Sequence, residues 1–153
     1  MTTFRNIDVV SGDPVATWGF EGLLAAIERG GMKLWDRIAA ELRRQPYGTV
    51  ARLLENEVID AVSNEGEREL FRQVLDRARR MAEADARLEV ARRLQALLAG
   101  SGMTQRAFAT QLGTSASRLS TYLSGKVTPG ADLLVRAEQI GMVRKGSTPG
   151  RRP

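Results

Sequence analysis

The chain has 153 residues and a net charge of +5, and it contains neither cysteine nor histidine. Their absence excludes disulfides, Cys/His metal sites, a catalytic Cys–His pair and a histidine general base. Valine and isoleucine are sparse beside alanine, leucine, arginine and glutamate, which are strong helix formers, so the composition predicts an all-α protein.

Three helices are predicted between residues 12 and 63. The first begins with Asp13 as N-cap and Pro14 at the first helical position, and Gly30-Gly31 ends it. The second fits residues 33–44, and the third begins near Thr49. We expect these helices to form an N-terminal bundle.

Two groups of residues in this region have both a structural and a functional interpretation. The first group is aromatic: Trp18, Phe20, Trp35 and Tyr47. Aromatic residues at helical spacing are typical of a core or of the apolar half of a partner interface, and the alternative is a ligand pocket. The acidic residues Glu65, Glu67 and Glu69 suit the start of a helix, where carboxylates favour the macrodipole. Their alternative is general acid–base or metal chemistry.

No glycine or proline interrupts the chain from Glu67 to Ala99. Apolar residues recur there at spacings of three and four, which predicts a helix. The pattern is weakest at residues 83–86, so it fits either one connecting helix of about 30 residues or two helices with a break at that point. Asn64 and Glu67 have the spacing of a capping box at the start of this segment.

The basic charge belongs to the last third of the chain. Residues 1–99 hold 15 Lys+Arg against 16 Asp+Glu, whereas residues 100–153 hold 8 against 2. A basic module beside a neutral one indicates a nucleic-acid partner, and a solvated basic surface without a partner is the alternative.

Residues 104–124 have the pattern of two short helices joined by a tight turn. Thr104 and Ser115 stand where N-caps are needed, and Gly113 stands where a reversing chain needs a positive φ. The apolar residues fall at inward-facing positions: Phe108, Ala109, Leu112, Leu119, Tyr122 and Leu123. The small side chain of Ala109 suits the point where two helix backbones approach closely. These features together predict a helix-turn-helix.

Several motifs of this stretch are more specific: Thr104-Gln105, Phe108-Ala109, Leu112-Gly113-Thr114-Ser115, Leu119-Ser120, Gly125-Lys126 and Pro129. With them, residues 88–141 resemble the Cro/cI (Xre) family of DNA-binding domains. The chain departs from the family at Leu123, where an acidic residue is usual. The resemblance implies a five-helix, lambda-repressor-like helix-turn-helix domain that binds double-stranded DNA. Its last predicted helix covers residues 131–141, with Gly141 as the stop.

The resemblance places the outer face of the second helix, the recognition helix, in the major groove, which is about 12 Å wide. The residues that we expect to contact bases are Ala116, Ser117, Arg118, Ser120 and Thr121. Those that we expect to contact phosphates are Gln105, Arg106, Ser115 and Lys126. The alternative for each is a solvated surface or, for Ser115, a helix cap. Serine and threonine accept several base edges, so the operator sequence does not follow.

The sequence thus predicts an all-α protein with an N-terminal helical bundle (residues 1–80), a long connecting helix and a C-terminal DNA-binding domain (residues 81–143). A basic, disordered tail (residues 144–153) follows. Since no apolar run reaches about 18 residues and no signal-peptide pattern is present, we expect a cytoplasmic protein without a membrane partner.

The predicted function is transcriptional repression by a homodimer, without enzyme activity, cofactor or metal. One alternative is an antitoxin that neutralises a toxin protein through residues 1–80 and autoregulates its operon. Another is a helical interaction adaptor that does not bind DNA.

Overall fold

Every regular element in residues 12–146, the part of the chain that this computed structural model describes, is a helix. The all-α prediction is therefore confirmed. The chain divides into two compact units, and the division falls between Glu83 and Ala84. No helix within residues 12–146 combines the length and the apolar character that a membrane span requires.

The N-terminal unit begins with a 3₁₀ turn, Val15–Thr17. Its helices follow in order: α1 (Gly19–Arg29), α2 (Gly31–Arg44), α3 (Thr49–Leu53), which continues through a π-helical turn (Leu54–Val58) into a last turn (Ile59–Ala61), and the first part of α4 (Glu65–Ser101).

The prediction of Asp13 as an N-cap is wrong. Pro14 precedes the 3₁₀ turn, and no side chain caps it. The carbonyl of Asp13 instead accepts a hydrogen bond from Trp18 Nε1 at 3.0 Å. The indole of Trp18 thereby fixes the chain before α1, and α1 itself begins only at Gly19.

The core of this unit is formed by one face each of α1 to α4. Its fully buried side chains include Leu23, Ile27, Ile38, Leu42, Leu54, Val58 and Phe71. Trp18 is buried as well, and the rings of Trp35 and Phe71 pack nearly perpendicular to each other, with centroids 5.6 Å apart. Tyr47 differs, since it is 55% exposed and its hydroxyl donates to Glu83 at 3.1 Å. Trp18 thus belongs to the core, Trp35 is half-buried and packs against it, and Tyr47 lies at the surface.

Helix α4 is one continuous helix of 37 residues, without a break at residues 83–86. The Asn64 side chain accepts a hydrogen bond from the Glu67 N–H at 3.1 Å, which confirms the predicted cap. Residues 83–88 are all exposed, but alanine, glutamate, arginine and leucine there favour a helix without tertiary packing. Ion pairs at helical spacing lie on either side of them: Arg80 with Asp76, and Arg93 with Glu89.

The C-terminal unit contains the rest of α4, α5 (Gln105–Leu112), α6 (Ala116–Leu123) and α7 (Ala131–Lys145). These helices enclose a core of their own: Leu94, Phe108, Ala109, Leu112, Leu119, Leu133 and Ala137. The described residues of this unit therefore hold four helices, where the family resemblance implied five. The connection from α6 to α7 contains Pro129 and Gly130, which disfavour a further helix there.

The end of the last helix also differs from the prediction. The sequence predicts an end at Gly141, but α7 continues to Lys145. Gly141 lies close to α4 instead, since a Cβ at this position would lie 2.9 Å from Leu97 Cδ2 and the Leu97 side chain would have to shift. Arg144, which the sequence assigns to a disordered tail, belongs to α7 and contacts the carbonyl of Ser101. The remainder of that predicted tail, residues 147–153, lies outside the described residues.

Candidate DNA-binding surface

The turn between α5 and α6 is closed by Gly113. This residue has a φ of 75°, in the left-handed region that disfavours any residue with a Cβ. Its N–H donates to the Thr110 carbonyl at 3.1 Å, and the next N–H, of Thr114, donates to the Ala109 carbonyl at 3.0 Å. This pair of bonds is the Schellman motif. The predicted role of Gly113 is confirmed.

Side-chain caps define where α5 and α6 begin. Thr104 Oγ1 accepts a hydrogen bond from the Ala107 N–H at 3.1 Å. Ser115 Oγ accepts one from the Arg118 N–H, also at 3.1 Å. Both predicted N-caps are confirmed. Each cap leaves further N–H groups of the first turn without an intrahelical partner, and such groups suit an anionic phosphate.

The two helices meet across an apolar contact. Phe108, Ala109 and Leu112 of α5 are buried, as is Leu119 of α6. The inward prediction for Tyr122 and Leu123 is confirmed, because both pack against this core, although they remain half-buried. The second helix therefore presents its opposite face outward.

The turn, its two helices and most of their core lie in one segment, residues 89–139, which matches the family model of a helix-turn-helix domain. Residues 89–139 form a helix-turn-helix domain. Comparison with curated proteins and with solved structures gives no match. The helix-turn-helix domain supports DNA binding, and α6 occupies the place of its recognition helix.

The outer face of this recognition helix is polar and is built mainly of short side chains. The candidate base-contacting residues Ala116, Ser117, Arg118 and Ser120 are exposed, and Thr121 is half-buried. Thr121 Oγ1 donates to the Arg118 carbonyl at 2.7 Å, which leaves its lone pairs and its methyl group to meet a base edge. Ser117 Oγ lies 3.2 Å from Ser115 Oγ. The four exposed candidates lie together on one short helix, and the side chain of Thr121 is partly withdrawn from the surface.

The candidate phosphate-contacting residues surround the recognition helix. Gln105 and Arg106 are exposed in the first turn of α5, and Lys126 is exposed just after α6. A second left-handed glycine, Gly125, places Lys126 there, since the Lys126 N–H turns back to the Thr121 carbonyl at 3.1 Å. Ser115 uses an oxygen lone pair for its cap, and its hydroxyl proton can still be donated. The DNA contacts of all nine residues stay predictions.

Three residues that the sequence pattern did not indicate also hold the helix-turn-helix domain together. The side chains of Gln95, Arg136 and Arg144 each donate to a backbone carbonyl at the end of a helix: Leu123, Leu112 and Ser101, respectively. The partners are separated by 24 to 43 residues in sequence. Contacts over such separations leave no local pattern, so no signal in the sequence identifies them.

This arrangement explains how the domain accommodates Leu123 at a position where the Cro/cI (Xre) family usually has an acidic residue. Its side chain packs against the domain core in place of the usual acidic residue. Its carbonyl accepts the hydrogen bond from Gln95 Nε2 at 2.6 Å. The end of the recognition helix is thus held by an apolar contact and by an amide from α4.

Proposed function

We propose that this chain is a sequence-specific transcriptional regulator of the Cro/cI (Xre) type, which represses transcription as a cytoplasmic homodimer. The observation that carries the proposal is the outer face of α6. It is exposed, built of alanine, serine and arginine, and lies within a segment that matches a helix-turn-helix domain. The short alanine and serine side chains let the helix backbone approach the base edges closely.

In the proposed complex, α6 lies in the major groove. Ser117 and Ser120 hydrogen-bond to base edges, Arg118 reaches a guanine, and the methyl groups of Ala116 and Thr121 meet thymine methyls. Around this helix, Gln105, Arg106, Ser115 and Lys126 bind phosphates and fix the register of the domain on the duplex. Binding that covers a promoter represses transcription without catalysis or a cofactor.

The homodimer follows from the size of the DNA-binding module. One helix-turn-helix domain buries roughly 600–1,000 Å² on DNA, which is less than a typical specific complex. Two copies related by a two-fold axis read two half-sites about one helical turn apart, and the DNA site is then palindromic. We assign the dimer contact to the N-terminal unit, whose core is independent of the DNA-binding core.

Selection from a random pool of duplex DNA with the purified full-length protein tests the proposal. The expected result is one enriched palindrome with half-sites about one helical turn apart. Enrichment of no motif would overturn the proposal. Enrichment of a single half-site would contradict the homodimer and indicate that the protein binds DNA as a monomer.

The antitoxin alternative is distinguished by a second measurement on the same protein. It predicts that residues 1–80 hold a toxin protein, encoded by an adjacent gene, in a stable complex. A repressor without such a partner binds its palindrome as an unaccompanied dimer, which sedimentation of the protein–DNA complex measures directly.

A further inference from the structure

The recognition helix α6 has few anchors of its own. It spans eight residues, Ala116–Leu123, and Leu119 is its fully buried side chain. Tyr122 and Leu123 touch the core but remain half-buried. The N-terminal cap by Ser115 is a contact within the same segment and does not join α6 to another helix. The orientation of α6 therefore depends on these partial contacts and on whatever else holds its C-terminal end.

Gln95 holds that end from another helix. Its Nε2 donates to the Leu123 carbonyl at 2.6 Å, across 28 residues of sequence. Leu123 is the last residue of α6, where helix carbonyls lack an intrahelical partner. The glycine turn that follows uses the carbonyls of Thr121 and Tyr122, not that of Leu123. The side-chain amide of Gln95 therefore joins α6 to α4 at a defined point.

The same arrangement occurs at the end of α5. Arg136 Nε donates to the carbonyl of Leu112, the last residue of α5, at 3.2 Å. Asp132 orients that guanidinium through an ion pair of 3.0 Å. Both helices of the helix-turn-helix thus have their last carbonyl held by a side chain from a surrounding helix. The repetition indicates that side chains from the surrounding helices add to the apolar contact between α5 and α6 in fixing the orientation of the pair.

We propose that Gln95 is a positioning residue for DNA recognition, which sets the tilt of α6 through the Leu123 carbonyl. This inference rests on the proposed function and deepens it. Gln95 lies on α4, outside the set of residues that are predicted to touch DNA, and acts only through the helix that it holds.

Positioning affects specific and non-specific binding differently. A hydrogen bond to a base edge needs a donor–acceptor distance near 3 Å and a nearly linear angle, so a small tilt of α6 removes it. Attraction to the phosphates is Coulombic and falls off gradually, so the same tilt changes non-specific affinity little. Loss of the Gln95 contact is therefore expected to lower the ratio of specific to non-specific affinity, and not affinity as a whole.

The test uses Gln95→Met in the full-length protein, which keeps the length of the side chain and removes its donor. Dissociation constants are measured by fluorescence anisotropy for the duplex that the wild type selects and for a scrambled duplex, at one salt concentration. We expect the ratio of specific to non-specific affinity to fall about fivefold, the scale of one net hydrogen bond. Gln139→Met, an exposed glutamine on α7, is the matched control and should leave the ratio unchanged.

A rescue variant separates positioning from simple loss of stability. Gln95→Arg restores a donor to the Leu123 carbonyl, and its added charge cancels in the ratio, so recovery of most of the wild-type ratio is expected. Destabilisation alone would lower both affinities together and leave the ratio at its wild-type value, which would overturn the inference. An unchanged ratio in Gln95→Met, with a motif selected by the wild type, would overturn the inference and leave the proposed function intact. If the wild type selects no motif, the proposed function fails, and the inference fails with it.

Discussion

Substitution of Gly113 by alanine tests whether the turn requires a left-handed residue. Gly113 has a φ of 75°, and its N–H and that of Thr114 donate the two Schellman hydrogen bonds after α5. A Cβ built at this position meets nothing within 4 Å. The expected penalty is therefore conformational, without a contribution from a steric clash with neighbouring side chains.

The magnitude follows from two opposing effects. A residue with a Cβ loses about 1–2 kcal/mol in the left-handed region. Alanine also has fewer conformations in the unfolded chain than glycine, which returns about 0.4–1 kcal/mol. We expect Gly113→Ala to lower the free energy of unfolding of the C-terminal unit by about 1 kcal/mol.

Gly100→Ala is the matched control for this substitution. Gly100 lies in α4 with a negative φ, and a Cβ there also meets nothing within 4 Å. Alanine in a helix is favoured over glycine by about 0.5–1 kcal/mol, so this variant should be more stable than the wild type. The same chemical change is thus predicted to have opposite signs at two sites.

Urea denaturation followed by circular dichroism measures both variants. The two tryptophans, Trp18 and Trp35, lie in the N-terminal unit, so their fluorescence follows that unit separately. The urea midpoint measured by circular dichroism should shift with the stability of the C-terminal unit. The midpoint measured by tryptophan fluorescence should equal that of the wild type. A Gly113→Ala variant as stable as Gly100→Ala would refute the requirement for a left-handed residue.

Three further predictions concern the DNA surface and the N-terminal unit. The double variant Ser117→Glu, Thr121→Glu should abolish binding to the selected duplex, because two carboxylates would face the phosphates; a salt titration of affinity measures this. Lys126→Ala should weaken binding to all duplexes alike and reduce the slope of log affinity against log salt by about 1. Hydrogen bonds from the Ser63 backbone N–H and hydroxyl, both 2.8 Å from Glu28 Oε1, lower the pKa of Glu28 below its ordinary value of 4.5. A carboxylate with a lowered pKa stabilises the fold at pH values above its unfolded-state pKa, and this stabilisation is lost as the pH falls. Urea denaturation should therefore find Glu28→Gln less stable than the wild type at neutral pH. The difference in stability should shrink in acid.

The two predictions for the DNA surface each have a control within the same chain. Gln45→Glu with Asn56→Asp adds the same two negative charges at exposed positions of the N-terminal unit and should leave most of the DNA affinity intact. Lys33→Ala removes an exposed positive charge from α2 and should not change the salt slope. Equal losses in test and control variants would show that net charge, and not the surface of α6, determines binding. A stability difference for Glu28→Gln that does not depend on pH would contradict the prediction for its carboxylate.

The sequence predicted the features of the helix-turn-helix that depend on local chemistry. Thr104, Ser115 and Gly113 were predictable because caps and left-handed turns depend on residues within about four positions. The inward positions of Phe108 and Leu119 were predictable because the helical period is fixed. These features belong to the part of the chain in which local preference and tertiary packing agree.

The remaining features depend on tertiary contacts. Gly141 resembles a helix stop in sequence, but α7 continues through it and packs this position close to Leu97 of α4. Asp13 has the residue type of an N-cap, but its side chain caps no helix. Its carbonyl accepts a hydrogen bond from the indole N–H of Trp18, a tertiary contact that the local sequence does not indicate. The bond from Gln95 to Leu123 spans 28 residues and has no periodic signal. Which of these contacts forms depends on how the helices pack, which no local pattern encodes.

The ratio of affinities for the selected duplex and for a scrambled duplex of equal length and composition, measured at physiological salt, tests the central claim most directly. Sequence-specific recognition by the outer face of α6 predicts a ratio of at least about 10³. Equal affinities for the two duplexes would mean that the basic C-terminal unit binds DNA by charge alone, and the claim that this protein reads a DNA sequence would be wrong.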